Sequence, residues 1–157
     1  MAEITTFLTF DNQAEAATNL YVALFDGKIV STMRYGDVGP GPKGSVLSVT
    51  FEILGQTLHA LNGGPHFTFS QGMSLFITCD TQAEIDRYYD KLLADGGKEL
   101  QCGWVSDKFG VVWQIVPKVL QSLIGDPDPK KAGRTMQAMM QMKKLDIAKL
   151  KQAHAAA

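Results

Sequence analysis

The segment TFDNQAEAATNLYVALFDGK, beginning at Thr9, returns as TCDTQAEIDRYYDKLLADGGK beginning at Thr78, with no gap and an offset of 69 residues. Identities fall at Thr9/Thr78, Asp11/Asp80, Gln13-Ala14-Glu15/Gln82-Ala83-Glu84, Leu24/Leu93 and Asp26-Gly27/Asp95-Gly96, eight positions in register. A chain that carries one strand-to-helix passage twice is a duplicated module, and both copies must solve the same local folding problem.

Each copy starts with a short apolar or alternating strand, Ile4–Phe10 or Met73–Cys79. An Asp placed to cap a helix follows, with a Glu in the first turn where the helix dipole favours it. Helical spacing then brings Ala17, Leu20, Tyr21 and Leu24 onto one face in the first copy, and Ile85, Tyr88, Tyr89 and Leu92 in the second. Gly27 and Gly96–Gly97 are expected to stop these helices. Beyond them the period falls to two: strands at Lys28–Tyr35, Ser45–Ile53 and Gln56–Asn62, then at Glu99–Val105 and Val111–Val116 around a turn at Asp107–Gly110. Only the first copy carries GDVGPGPKGS, Gly36–Ser45, read as a long flexible loop.

The predicted fold is α+β: two βαβββ modules with curved mixed sheets facing across a cleft, plus a C-terminal helix. The expected organisation is a single domain over 1–157, with modules at 1–62 and 73–118, a joining loop at 63–72 and a helical tail at 119–157. Clefts between modules are common ligand sites.

A formal charge of −1 gives no reason to expect nucleic acid, and no apolar run is long enough to span a membrane. Cys79 and Cys102 have no CxxC spacing, and the N-terminus has neither the basic nor the apolar part of a secretion signal. A cytoplasmic protein is expected.

The repeated module, with TFDNQAEAATNLY, HALNGGPHFTFSQGMSLFITCD, DKFGVVWQIVP and MQAMMQMKKLDIAKLKQA, resembles the vicinal-oxygen-chelate superfamily of glyoxalase I, bleomycin-resistance proteins and extradiol dioxygenases. Within it the chain is similar to the PhnB-like subgroup, whose members often carry the description 3-demethylubiquinone-9 3-methyltransferase. A methyltransferase is not expected from the residues. The glycine-rich stretch lies between two strands rather than between a strand and a helix, and the chain is short for a Rossmann domain. GPGPKGS also has Gly after Lys where a phosphate-binding loop needs Ser or Thr.

In metal-using members of the superfamily, the first and last strands of each module supply one ligand apiece, and the last ligand is a Glu four residues after the glycine of the final turn. By that resemblance the positions here are Thr5, His59, Ser74 and Gln114. Gln114 stands four residues after Gly110, and His59 four after Gly55. One imidazole, two hydroxyls and an amide are a poor donor set for a divalent metal, which prefers several His, Cys or carboxylate groups. Exchanging Glu for Gln removes the charge but keeps hydrogen bonding. No metal and no other cofactor are therefore expected, a divalent metal being the alternative, and Gln114 is read as a polar contact in the cleft.

Phe7 and Phe76 share the faces of Thr5 and Ser74, so both are expected to look into the cleft. Trp113 has the opposite parity from Gln114 and is expected under a helix or at a subunit contact. Asn62–Ser70 joins the modules, with His66, Phe67 and Phe69 placed to cover the cleft. Neither cysteine has a His partner that would make it a nucleophile. A metal-free cleft binding a small, partly apolar or aromatic molecule is the leading expectation. A metal-dependent lyase, isomerase or dioxygenase, or a metal-free enzyme with His59 as general base, is a second reading. A filled interaction module is a third. The tail is predicted as one helix from about Arg134, with a Met-rich stripe, and the resemblance implies a homodimer.

Overall fold

A computed structural model describes residues 1–157. They divide into two compact units, Met1–Thr68 and Phe69–Ala157.

In the first unit, β1 (Thr6–Phe10) leads into α1 (Ala14–Leu24), then β2 (Lys28–Arg34), β3 (Val46–Ile53) and β4 (Gln56–Asn62). The sheet order is β1-β4-β3-β2, with β1 parallel to β4 and the other pairs antiparallel. Alternation decides the faces. Leu8, Phe10, Val49, Phe51, Leu58 and Ala60 are buried, and with Ala17, Tyr21 and Leu24 of α1 they make up the core. The other face carries Phe7, Thr50 and His59. The second unit repeats the plan with β5 (Leu75–Cys79), α2 (Gln82–Leu93), β6 (Lys98–Glu99), β7 (Trp104–Ser106) and β8 (Val112–Pro117), in order β5-β8-β7-β6. Two four-stranded mixed sheets, each following the βαβββ plan, are what the repeat requires.

Several details differ from the sequence reading. Thr5 and Ser74 lie just before their strands rather than in them. Glu99–Val105 is two short strands, because Cys102 turns through a left-handed φ of 59° and Gly103 through 86°. Asp11 and Asp80 do not cap. The N-cap of α1 is Gln13, with no side-chain bond, whereas Thr81 caps α2 by accepting from the Glu84 amide at 3.2 Å. The Glu84 carboxylate in turn accepts from the Asp80 amide, the reciprocal arrangement of a capping box displaced by one residue. Asp26 and Asp95, not the glycines after them, first take the left-handed turn at the helix ends, at φ 51° and 59°. Gly27 is needed for space instead, since a Cβ there would lie 2.2 Å from the Glu52 carbonyl oxygen.

The tail is not one helix. It forms α3 (Val119–Ile124), α4 (Pro129–Met140) and α5 (Ile147–Ala155). Asp128 caps α4 with Pro129 at its first turn, and Asp146 caps α5, so two Asp residues mark the starts. Leu120, Leu123, Leu145 and Leu150 bury themselves with Val116 of β8. The tail's apolar stripe is therefore largely absorbed within the second unit, leaving Met136 and Met140 exposed. Lys144 adds ion pairs to Asp86 and Asp90 of α2 at 3.3 and 2.7 Å. Burial alone would lower its pKa, but the two carboxylates outweigh it and raise it.

Candidate functional site

On the open face of the first sheet, strand register sets His59 of β4 between Phe7 of β1 and Thr50 of β3. The Phe7 and His59 rings stack with centroids 5.5 Å apart and planes 24° apart. The Thr50 hydroxyl lies 3.0 Å from His59 Nδ1. That bond fixes the ring, and the tautomer it selects decides whether Nε2 donates or accepts. Phe7 stays 55% exposed although it neighbours the core strand, so its ring is a surface available to a flat partner.

The second sheet repeats this row. Gln114 of β8 stands between Phe76 of β5 and Trp104 of β7. Phe76 is the repeat counterpart of Phe7, and at 58% it is equally exposed. Gln114 Nε2 donates to Ser74 Oγ at 2.8 Å. The structure thus brings Phe7 and His59 together in one unit, and Ser74, Phe76 and Gln114 in the other. Thr5 is exposed and outside the strand. Thr50 and Trp104 complete the two rows. Sequence spacing could not single them out, because each is aligned by cross-strand register and not by the repeat.

The position of Gln114 depends on the turn before it. Asp107 is buried, and its Oδ1 accepts from the amides of Phe109 and Val111 at 2.9 and 3.1 Å. Its Oδ2 accepts from Trp113 Nε1 at 2.9 Å. Trp113 is fully buried on the face opposite Gln114, as its parity predicts. A carboxylate holding the turn on one side and the indole on the other leaves β8 little freedom to slip, and a one-residue slip would exchange Trp113 for Gln114.

The donors on these faces do not suit a divalent metal. The first sheet offers one imidazole already bonded to a hydroxyl, and the second offers an amide bonded to a hydroxyl. No group of three or more His, Cys, Asp or Glu residues comes together anywhere in the chain. Cys79 and Cys102 are free thiols. Burial, followed by the charges of Glu84 and Asp80, pushes the Cys79 thiol up to about 12, so it stays protonated and unreactive.

Two βαβββ units of this kind make up the fold of the glyoxalase/bleomycin-resistance class of vicinal-oxygen-chelate proteins. The chain belongs to the 3-demethylubiquinone-9 3-methyltransferase family, whose model matches residues 2–116. It is 40% identical to a putative 3-demethylubiquinone-9 3-methyltransferase, PhnB protein, from Bacillus cereus, over 74% of this chain and 99% of that one, with a TM-score of 0.68. A Pseudomonas aeruginosa protein shares the fold at 20% identity over 74% of this chain and 98% of its own, with a TM-score of 0.63. So does the fosfomycin resistance protein FosX from Listeria monocytogenes, solved with Mn(II) and sulfate, at 12% identity over 76% and 92% and a TM-score of 0.52. No curated protein matches the chain.

Proposed function

We propose that the protein binds a small, partly apolar or aromatic molecule on these sheet faces without a metal. The observation that carries this reading is the exposed phenylalanine beside a hydrogen-bonded polar side chain, present once on each sheet. Such a row offers ring stacking and one or two hydrogen bonds, the usual means of orienting a planar ligand. It offers nothing that would balance the charge of a bare dication. FosX, of the same fold, is a fosfomycin resistance protein solved with Mn(II), and the metal-free reading departs from that case on the residues present. The family's name does not carry a methyl-transfer mechanism to this chain, because neither unit contains the strand–glycine loop–helix unit of a Rossmann methyltransferase.

The test is a thermal-shift screen of planar aromatic and heteroaromatic fragments, run with elemental analysis of protein purified without a metal-affinity tag. Gln114→Ala is expected to lower the unliganded unfolding temperature by only about 2–4 °C, the worth of one half-buried hydrogen bond in a chain of this length. It should also remove most of the stabilisation that a hit produces. A stoichiometric transition metal, or a Gln114→Ala protein that collapses yet keeps its ligand shift, would refute the reading.

One contact favours a second reading, in which His59 acts as a general base. If the Nδ1 proton is donated to Thr50, Nε2 is free to accept one from a ligand. Homodimer formation is proposed on the resemblance alone, with light scattering as its check. The free cysteines support a cytoplasmic location, and no helix is long and apolar enough to cross a membrane.

A further inference from the structure

The segment read as a flexible loop is tied down at several points. The Tyr35 amide donates to Ser45 O at 2.9 Å and the Gly44 amide returns to Tyr35 O at 2.8 Å. Arg34 Nη1 donates to Gly44 O at 3.1 Å, Ser45 Oγ to Pro42 O at 2.6 Å, and Lys43 pairs with Asp37 at 2.7 Å. The loop folds over the Tyr35 ring so closely that a Cβ at Gly41 would lie 2.2 Å from it. The Tyr35 hydroxyl donates to Asn62 O at 3.0 Å. The Asn62 side chain spans two elements, accepting from the Ala14 amide at 2.9 Å and donating to Val46 O at 3.0 Å.

Beside this loop lies an open groove of about 600 Å³, whose lining includes Tyr35, Pro40, Pro42 and Val46 together with the exposed residues Asp11, Glu15 and Arg34. Its volume falls within the range of small-molecule sites, roughly 300–1,000 Å³. Its lining includes none of Thr5, Phe7, His59, Ser74, Phe76 or Gln114. Both carboxylates lack an ion-pair partner, whereas the guanidinium is partly engaged by the Gly44 carbonyl. An aromatic ring and prolines lining one groove with two unpaired carboxylates suit a cation with an apolar body. The charge would meet Asp11 and Glu15, and the body would lie against Tyr35 and the prolines. We infer that this groove is a second binding site, separate from the sheet faces, and that it takes a small organic ammonium ion.

The experiment is an amide NMR titration of the full chain with benzylammonium, benzyl alcohol and benzoate, followed at Tyr35, Gly41, Gly63 and Gly64. Benzylammonium is expected to give saturating shifts at these four amides. The alcohol and the carboxylate should bind at least about fivefold more weakly, and added salt should weaken the ammonium alone. Asp11→Asn/Glu15→Gln should weaken benzylammonium by about tenfold, a few-fold for each rim carboxylate, and leave benzyl alcohol unchanged. Benzylammonium that does not saturate these amides, or benzyl alcohol or benzoate that binds equally well, would overturn the inference even if the variants misfold. Shifts confined to Thr50 and His59 would overturn it as well while leaving the sheet-face proposal standing. A failed Gln114→Ala test would bear on that proposal and not on this site.

Discussion

Replacing Asp107 by Asn changes one atom and keeps the shape, so it isolates what the carboxylate contributes. Asp107 accepts side-chain hydrogen bonds from the amides of Phe109 and Val111 and from Trp113 Nε1, in a site where the residue is only 3% exposed. Either orientation of an Asn amide sets an NH2 group against at least one of these donors. One buried donor then loses its acceptor, a cost of roughly 1–3 kcal/mol, and the remaining bonds lose the strengthening of a charged acceptor. The expected loss for Asp107→Asn is about 2–3 kcal/mol, rising to about 3–5 kcal/mol for Asp107→Ala, where all three donors are stranded. Trp113→Phe removes the indole N–H, so Asp107→Asn should cost less in that background. Urea unfolding of the four proteins, followed by circular dichroism because a tryptophan is being removed, measures the coupling. It should be about 1–2 kcal/mol. Coupling below about 0.5 kcal/mol would mean that the Asp107–Trp113 bond does not hold β8 in register, and the account of Gln114's placement would fail with it.

Tyr89 is almost wholly buried and its hydroxyl has no hydrogen-bond partner, so Tyr89→Phe should raise stability by about 1 kcal/mol in urea melts at neutral pH, and a loss would mean an unseen partner exists. Gly27→Ala should cost about 3 kcal/mol by thermal unfolding, because its Cβ would meet the Glu52 carbonyl oxygen, part of the backbone, at 2.2 Å. The Cys79 thiol is raised from 9.0 to about 12, chiefly by burial. The folded state then keeps a proton that the unfolded state releases, so this stability is complete below pH 9 and is lost as pH rises through 12. The loss is on the order of 4 kcal/mol, and unfolding free energies across that range that do not fall would refute it.

The repeat and its two periods were enough to find most strands and both module helices, because eight identities at one offset fix the register of the second copy on the first. What escaped were choices between neighbours. Thr81 and Asp80 are both good caps, and only the reciprocal bond with Glu84 selects Thr81. Asp26 and Asp95 take left-handed turns that a reader assigns to the glycines beside them. The tail looked continuous because the Met136–Leu150 stripe keeps helical spacing across 141–146, although Asp146 was there to mark a new start. At the site, Gln114 and Ser74 were reached through the family resemblance, which names the strand positions to look at. Thr50 was not, since its meeting with His59 depends on the β3–β4 register, and the Tyr35 groove was not, since it depends on how a ten-residue loop folds back.

The tail has a further consequence. The family match ends at residue 116, and about a quarter of this chain has no counterpart in the Bacillus cereus protein. Yet the amides of Cys102 and Gly103, just before β7, donate to the carbonyls of Met142 and Lys143 at 2.9 and 2.7 Å. Gln82, at the start of α2, accepts from the Ile147 amide and donates to the Leu145 carbonyl. The second unit is therefore closed by residues made some forty to sixty-five positions after those they hold. On the ribosome, Met1–Thr68 has all its strands early, whereas the second sheet must wait with a loose end until Met142–Ile147 have been made.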